Sequence, residues 1–260
     1  MKKRILSLGL AIASALALTA CGSKAAKSDI DYVKDKGTLV VGVTDFAPMD
    51  YMDINGEWIG FDADLAKAFG EYLGVNVEFM EIEWSNKVLE LDGKTVDCIW
   101  NGMTLTDEVT SAMECSQPYC NNAQVVIVKS DVADKYTTVD SIKELNFACE
   151  DGSAGAAEAD ANGLNYTGVE SQAAALMEVA AGTSDAAIID SLMAAAMVGE
   201  GTSYADLTYT VPLNEEEYGV GFRKGSELAG ELNNFFASVT ADGTMDKIAN
   251  EYGVQAALIK

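Results

Sequence analysis

The sequence predicts an α/β fold of two lobes, and three observations lead to this prediction. Short apolar, β-branched segments alternate with segments whose apolar residues recur at helical spacing. Such alternation is typical of mostly parallel sheets with right-handed crossovers. The alternation restarts after Lys129, and 260 residues are enough for two lobes with separate cores. A single open α/β domain is the alternative interpretation.

The pattern predicts three strands and two helices in the first lobe. Leu65, Phe69 and Leu73 share one helical face, and Gly74 ends that helix. The predicted elements are strand Thr38–Val43, helix Phe61–Leu73, strand 75–82, helix 85–91 and buried strand 96–100.

The second lobe repeats this alternation, and two further strands connect it to the first lobe. Segments 124–128 and 218–222 are predicted to be strands that cross between the lobes, and 227–252 would return to the first lobe. The predicted elements of the second lobe are helix 141–145, strand 146–149, a helix from Gly152, strand 166–169, helix Gln172–Ala181, strand 186–189 and helix 191–198.

The first 20 residues are predicted to be a targeting segment rather than part of the fold. A basic start at 2–4 precedes an apolar run over 5–17, and Leu-Thr-Ala-Cys at 18–21 matches a bacterial lipobox in which Cys21 takes the lipid. Two or more acyl chains give stable membrane anchoring. An ordinary signal peptide with a chance cysteine is the alternative.

Charge and composition disfavour several classes of function. A net charge of −24 repels nucleic-acid phosphates, so we expect no nucleic-acid partner. The absence of histidine removes Ser-His-Asp and Cys-His catalysis and the usual zinc ligand sets. We expect a binding protein without metal or cofactor rather than an enzyme. Cys98, Cys115, Cys120 and Cys149 are expected as free thiols, although export permits a Cys115–Cys120 disulfide.

Four segments between Leu39 and Tyr119 carry the most specific signal. In order they read LVVGVTDFAPMDY, GFDADLAKAFGEYLGV, WSNKVLELDGKTVDCIWNGMT and CSQPY. Together they resemble the polar-amino-acid branch of the bacterial extracellular solute-binding proteins of family 3, the receptors of ABC importers. The resemblance implies a type II periplasmic-binding-protein-like fold, in which mixed, mostly parallel sheets form two lobes joined by a two-crossing hinge.

The resemblance also implies a function. The protein would be a monomeric, lipid-anchored, extracytoplasmic receptor that captures a small polar amino acid and delivers it to an ABC permease in the cell membrane. The alternatives are a receptor for an amine or a modified amino acid, a sensor without transport and, more remotely, a dehydratase-like enzyme. The expected division of the chain is 1–20 signal peptide, 21–36 tether, 37–128 first part of lobe 1, 129–218 lobe 2, and 219–260 second crossing with the return to lobe 1.

Ligands of open α/β sheets bind beyond the carboxyl ends of the strands, so the candidate residues are those that follow strands. Phe46 and Trp84 each follow a strand, and the resemblance implies that they flank the ligand. Asn101, Gly102 and Thr104 follow a buried strand. Glycine lets the backbone approach a ligand closely, and the Gly102 carbonyl and Thr104 hydroxyl can accept from an ammonium. Core positions for the aromatic rings and a plain turn are the alternatives.

Three candidates lie in the second lobe. Ser153 and Ala154 stand between a predicted strand and a helix, where amides of a helix N-terminus bind anions. The resemblance implies that this turn holds the ligand's carboxylate. Asp190 ends a buried strand, where a carboxylate is costly unless it is paired. The resemblance implies that Asp190 holds the α-amino group, and a helix N-cap is the alternative.

The chain departs from the family pattern at Val109. Family members commonly have a Thr-Pro-Glu-Arg-like run whose arginine clamps the α-carboxylate, whereas residues 106–109 read Thr-Asp-Glu-Val. Either backbone amides hold the carboxylate, with Lys87 as a weaker partner, or the ligand lacks a free α-carboxylate. A solvated helix lysine is the alternative for Lys87.

Overall fold

The computed structural model describes residues 28–259 and has two α/β lobes. The predicted signal peptide and Cys21 lie outside the described residues. The strands are β1 Thr38–Val43, β2 Tyr51–Met52, β3 Trp58–Ile59, β4 Asn76–Glu81, β5 Cys98–Thr104, β6 Glu114–Cys115, β7 Cys120–Asn122, β8 Gln124–Lys129, β9 Asn146–Glu150, β10 Asn165–Val169, β11 Ala186–Asp190, β12 Leu207–Pro212 and β13 Glu216–Phe222. The α-helices are α1 Asp29–Lys36, α2 Phe61–Leu73, α3 Lys87–Asp92, α4 Asp107–Ala112, α5 Ala154–Asn162, α6 Gln172–Ala181, α7 Ser191–Met197, α8 Leu228–Ala241 and α9 Thr244–Glu251.

Each lobe is built on one mixed sheet. The first sheet has the order β4-β1-β5-β13-β6, with β7 also paired to β13, and the second has the order β10-β9-β11-β8-β12. The pairs β1–β4, β1–β5, β9–β10 and β9–β11 are parallel. Strands β13 and β8 run antiparallel to their neighbours. The two predicted lobes are therefore present, and helices cover both sheets as the alternating pattern requires.

The crossings between the lobes occur earlier in the chain than predicted. Strand β8 pairs with β11 and β12 in the second sheet, so the first crossing is at Ala123 and the expected limit at residue 128 is wrong. The second crossing is at 213–215, since β13 already belongs to the first sheet. The sequence of an apolar strand such as β8 is compatible with either sheet, which explains why the apolar pattern could not locate the crossing.

Helix α2 shows how local sequence fixes an element that supports the cleft. It buries Phe61, Leu65 and Phe69, the face that the spacing predicts. Gly60 precedes it with φ of 129°, and a Cβ there would lie 2.1 Å from the Met49 carbonyl oxygen. Only glycine fits this close backbone approach, which brings the helix against the loop that follows β1.

Aromatic side chains connect α2 and β5 of the first lobe to the returning helix α8. The ring centroids of Phe69 and Phe235 are 5.4 Å apart, and those of Trp100 and Phe236 are 5.7 Å apart. Such pairs contribute roughly 0.5–1.5 kcal/mol beyond their burial. The C-terminal segment therefore completes the core of the first lobe, as predicted for 227–252.

The expected tether at 21–36 is wrong from Asp29 onward, because this part forms helix α1. Ser28 caps the helix by accepting from the Asp31 amide, and Gly37 ends it with φ of 78°. These are ordinary start and stop signals of a helix, and both residues are visible in the sequence. The helix is held to the lobe through the Arg223 guanidinium, which donates to the Asp29 carboxylate at 2.9 and 3.0 Å.

Asp97 is at the centre of this ionic network. Its side chain is fully buried and accepts from the Lys36 ammonium, from the Val40 amide at 2.9 Å and from Arg223 Nη2 at 3.3 Å. Removing one partner of a buried ion pair leaves uncompensated charge. Asp97 is thus expected to hold α1, β1 and β13 together.

Replacing Asp97 tests this role. Asp97→Ala is expected to lower the free energy of unfolding by about 3–5 kcal/mol, because Arg223 and Lys36 lose a buried carboxylate. Urea denaturation of the ligand-free protein measures the change. Glu71→Ala, which removes an exposed carboxylate from α2, is the matched control and should change stability by less than about 0.5 kcal/mol. Equal effects of the two substitutions would contradict the account.

Candidate functional site

A cavity of about 270 Å³ lies between the two lobes, at the carboxyl ends of β1, β5, β9 and β11. This volume is close to the lower limit of about 300–1,000 Å³ for small-molecule sites. All nine residues predicted to contact a ligand line it, and so does Val109. The lining residues are Phe46, Trp84, Lys87, Asn101, Gly102, Met103, Thr104, Thr106, Asp107, Glu108, Val109, Glu150, Gly152, Ser153, Ala154, Ala157, Gln172 and Asp190.

The aromatic walls come from the first lobe. Phe46 follows β1 and is 2% exposed, and its ring packs edge-on against Tyr218 with centroids 6.3 Å apart. Trp84 begins a 3-10 turn after β4 and is 7% exposed. Both rings are therefore packed in the core and also face the cavity, so the two interpretations of each aromatic are not exclusive.

Gly102 lies in a strand rather than in the turn considered from the sequence, since β5 continues to Thr104. Its φ is 53°, and a Cβ would lie 2.5 Å from the Phe46 ring. Its amide donates to Asp62 Oδ2 at 2.7 Å, and the Tyr119 hydroxyl donates to the same oxygen at 2.7 Å. Burial raises the pKa of the Asp62 carboxyl to about 6. Asp62 therefore positions the Gly102 backbone from beneath.

The Asn101 side chain lines the cavity, but its polar atoms are engaged within the protein. Asn101 Oδ1 accepts from the amide and the hydroxyl of Thr44 at 3.0 and 2.9 Å. Its Nδ2 donates to the Thr44 carbonyl at 3.0 Å and to Asp50 Oδ2 at 2.8 Å. These four bonds use the whole capacity of an amide side chain. Asn101 thus holds the floor of the cavity together.

Thr104 remains available to accept a hydrogen bond. Its hydroxyl donates to Glu216 Oε1 at 2.8 Å, which leaves the lone pairs of the hydroxyl oxygen for a donor in the cavity. The prediction that Thr104 accepts from a ligand ammonium is therefore compatible with the geometry.

Lys87 connects the lobes and is not the solvated helix lysine considered from the sequence. It is 9% exposed, and its ammonium donates to the Gly152 carbonyl of the second lobe at 2.9 Å and to the Trp84 carbonyl at 3.3 Å. The ammonium also stands 5.1 Å above the Trp84 ring. Burial lowers the pKa of Lys87, and Glu108 and Glu150 oppose that shift. One of its three N–H groups remains for a ligand.

The N-terminus of α5 faces the cavity from the second lobe. Ser153 is its N-cap, and the Ser153 hydroxyl oxygen accepts from the Ala156 amide at 3.1 Å. The first amides of a helix have no partner within the helix and carry a partial positive charge. Ser153 and Ala154 are therefore placed where the sequence analysis expects an anion to bind.

Asp190 ends β11 and is the most highly coordinated carboxylate in the cavity wall. Its Oδ1 accepts from Asn122 Nδ2, from Gln124 Nε2 at 3.0 Å and from the Tyr218 hydroxyl at 2.7 Å. Its Oδ2 accepts from Gln172 Nε2. Although Asp190 stands at the N-cap position of α7, its side chain makes no capping bond. Capping therefore does not explain a carboxylate here.

Burial opposes ionisation of Asp190. Desolvation raises its pKa well above the ordinary value, and the nearby Glu216 carboxylate raises it further. Asn122 and Gln124 donate to Glu216 Oε1 as well, at 2.6 and 2.8 Å, and so bridge the two acids. A cation in the cavity would relieve this cost of burying negative charge.

Sequence reasoning missed Glu150 and Gln172. Glu150 is the last residue of β9 and is 3% exposed. The rule that selected Asp190, a polar residue at the carboxyl end of a buried strand, also selects Glu150, so the signal was present. Gln172 carried no such signal, because its role depends on the packing of α6 against Asp190. Among residues 28–259 there is no cluster of carboxylates or thiols able to hold a metal ion.

The buried acids predict an unusual pH dependence of stability. Burial raises the pKa of Glu150 from 4.5 to about 8. Because the fold favours its protonated form, the stabilisation is present below pH 4.5 and is lost as pH rises to about 8. Differential scanning calorimetry of the ligand-free protein should give a higher Tm at pH 5 than at pH 8.

A variant separates Glu150 from the general charge of the surface. Glu150→Gln should reduce the difference in Tm between the two pH values, whereas Asp151→Asn, an exposed neighbour outside the cavity wall, should keep the wild-type profile. A Tm that rises with pH, or the same profile in both variants, would contradict the assignment.

Three known proteins illustrate what the chain is similar to. The L-cystine-binding protein TcyJ of Escherichia coli (strain K12) is 24% identical over 227 residues, covering 86% of this chain and 85% of that protein. The arginine-binding extracellular protein ArtP of Bacillus subtilis (strain 168) is 27% identical over 264 residues, covering 97% and 98%. The crystal structure of AncCDT-1, an ancestral amino acid-binding protein and precursor of cyclohexadienyl dehydratase, matches with TM-score 0.79 and 32% identity over 86% of this chain and 99% of that one.

The family itself is established by a match over most of the chain. The sequence model of the bacterial extracellular solute-binding proteins, family 3, matches residues 39–255. The two-lobed type II fold expected from the resemblance is confirmed. Proteins of this family are extracytoplasmic or periplasmic. The chain therefore belongs to family 3 of the bacterial extracellular solute-binding proteins.

Proposed function

We propose that this protein captures a small polar amino acid between its lobes and delivers it to an ABC permease. The observation that carries the proposal is the Asp190 carboxylate, buried in the cavity wall with no capping role. An ammonium is the ligand group that compensates such a buried charge. In this role Asp190 and the Thr104 hydroxyl hold the α-ammonium of the ligand.

The carboxylate of the ligand binds at the N-terminus of α5 in this proposal. The Ser153 hydroxyl and the Ala154 amide supply the donors, with the free N–H of Lys87 as a further partner. Phe46 and Trp84 flank the ligand side chain. Lys87 already donates to the Gly152 carbonyl across the cleft, so ligand and lobe contacts would favour the same arrangement of the lobes.

We propose a cellular setting for the protein from its N-terminal sequence and its family. Cys21 is proposed to carry a lipid that anchors the protein on the outer face of the cell membrane, where it acts as a monomer. Residues 22–28 (GSKAAKS) would then connect the anchor to α1. Globomycin treatment of expressing cells tests this step. The precursor of the wild-type lipoprotein should accumulate, whereas a Cys21→Ser variant should be insensitive to the treatment.

One observation favours a second candidate function. Val109 occupies the place of the family's carboxylate-clamping arginine and lines the cavity, which supports an amine or a modified amino acid as ligand. An enzymatic role is disfavoured by the absence of histidine, although AncCDT-1 is named as the precursor of a dehydratase. We propose that the protein does not turn over prephenate-like acids, and an assay that detected such turnover would support an enzymatic role.

A thermal-shift screen of ligand-stripped protein tests the function. The panel contains the common amino acids, their decarboxylated amines and small peptides. A ligand at a hundredfold excess over its Kd adds about 2.7 kcal/mol of stability. Stabilisation by a free amino acid supports the proposal, stabilisation by amines alone supports the second candidate, and no stabilisation by any of them contradicts both.

Asp190→Asn tests the ammonium site. Asparagine keeps the shape of the side chain and one oxygen that can accept from Tyr218, whereas alanine removes the acceptors of both Gln172 and Tyr218. Loss of a charge-assisted hydrogen bond should weaken binding of the ligand roughly tenfold to hundredfold by calorimetry. Asp134→Asn, an exposed acid of the same lobe, should bind as wild type. Equal affinity in the two variants would contradict the assignment.

Val109→Arg tests the carboxylate site. If the cavity has the family geometry, the new guanidinium should strengthen binding of amino acids with a free α-carboxylate roughly tenfold, through a bidentate bond. Thr110→Arg, on the exposed face of α4, is the matched control. Folded Val109→Arg protein with unchanged affinity for every α-carboxylate ligand would place residue 109 outside the carboxylate subsite.

A further inference from the structure

Glu150 is a buried carboxyl group whose hydrogen-bonding capacity the protein does not fill. It ends β9 in the cavity wall and is 3% exposed. Its Oε1 has no hydrogen-bond partner among the described residues. A buried polar atom of this kind costs about 1–3 kcal/mol, more when the group is charged. Such a cost points to a partner that enters the cavity.

The nearest candidates within the protein do not supply this partner. The Thr44 hydroxyl stabilises the ionised Glu150, but it has one proton and also lies 2.9 Å from Asn101 Oδ1. The Lys87 ammonium acts on Glu150 electrostatically, without a hydrogen bond. The hydrogen bonds of this ammonium go to the carbonyls of Trp84 and Gly152. Glu150 thus differs from Asp190, which four side chains already contact.

The other charges of the cavity point in the same direction. The acids that line it are Asp107, Glu108, Glu150 and Asp190, and Lys87 is the one cation among the described lining residues. Arg223, the one arginine among residues 28–259, is committed to the ionic network beneath α1. A cation that enters the cavity favours the ionised forms of the buried acids, so this excess of acidic groups favours a cationic ligand over a neutral one.

We propose that Glu150 selects a ligand with a second cationic group, that is, an amino acid or amine whose side chain ends in an ammonium or a guanidinium. This inference rests on the proposed function and adds the class of ligand. The α-ammonium pairs with Asp190, the distal cation pairs with Glu150, and Phe46 and Trp84 flank the aliphatic stem. The distal cation donates a hydrogen bond to the free Oε1 of Glu150 and stabilises the ionised form of this carboxylate.

Pairs of ligands that differ only in the distal charge test the proposal. Calorimetry with ligand-stripped wild-type protein compares lysine with norleucine and arginine with citrulline. At least one cationic ligand should bind at least about tenfold more tightly than its neutral partner, as expected for a charge-assisted hydrogen bond. Equal binding within both pairs overturns the proposal. Preference for the neutral member does so as well, since it would mean that a protonated Glu150 donates to an acceptor on the ligand.

Variants assign the preference to Glu150. Glu150→Gln should reduce the preference for the cationic member over the neutral one to less than about threefold. Asp151→Asn removes the same charge from the same turn outside the cavity wall and should retain the wild-type preference. A preference that survives in Glu150→Gln, or is lost equally in both variants, overturns the role of Glu150.

The outcomes distinguish this inference from the proposed function. Binding of neutral or acidic amino acids, with no binding of the cationic ones, leaves the amino-acid receptor in place and refutes the role of Glu150. Absence of binding by every amino acid and amine in the panel refutes the receptor function itself, and the inference falls with it.

Discussion

The Asp190 carboxylate is held by donors from both segments of chain that cross between the lobes. Asn122 and Gln124 stand on either side of the first crossing, and Tyr218 belongs to the strand that follows the second. A group that bound Asp190 would therefore act on the hinge as well as on the cleft. Because burial disfavours the charge of this acid, an ammonium bound there, as we propose, would change the free energy of the hinge contacts as well as that of its own contact with Asp190.

Hydrogen bonds between buried polar groups also organise the part of the cavity that the first lobe supplies. Its floor is held by hydrogen bonds between buried polar groups, with Asn101 bonded to Thr44 and Asp50, and Asp62 bonded to the Gly102 amide. Preorganised groups of this kind spare a ligand the entropic cost of ordering its own site. Among the described residues that line the cavity, Glu150 alone has a buried side-chain oxygen without a hydrogen-bond partner, and this oxygen is available to a ligand.

The sequence predicted the fold and half of the residues that line the cavity, because strand ends can be located from apolar patterns. Phe46 and Asp190 were found by that rule, and Glu150 obeys it but was overlooked. Other features depend on tertiary packing that no local pattern encodes. The hydrogen bonds of the Asn101 side chain are made to the segment that follows β1, which is distant in sequence. The position of the crossing at Ala123 depends on which sheet the apolar strand β8 joins. Helix α1 was a failure of interpretation, since its caps are visible in the sequence.

A crystal structure of the complex with the amino acid that gives the largest stabilisation tests the central claim most directly. The account predicts that the α-ammonium lies about 2.7–3.2 Å from the Asp190 carboxylate, within the cavity between the lobes. A ligand that binds outside this cavity, or one whose carboxylate or apolar group faces Asp190, would contradict it.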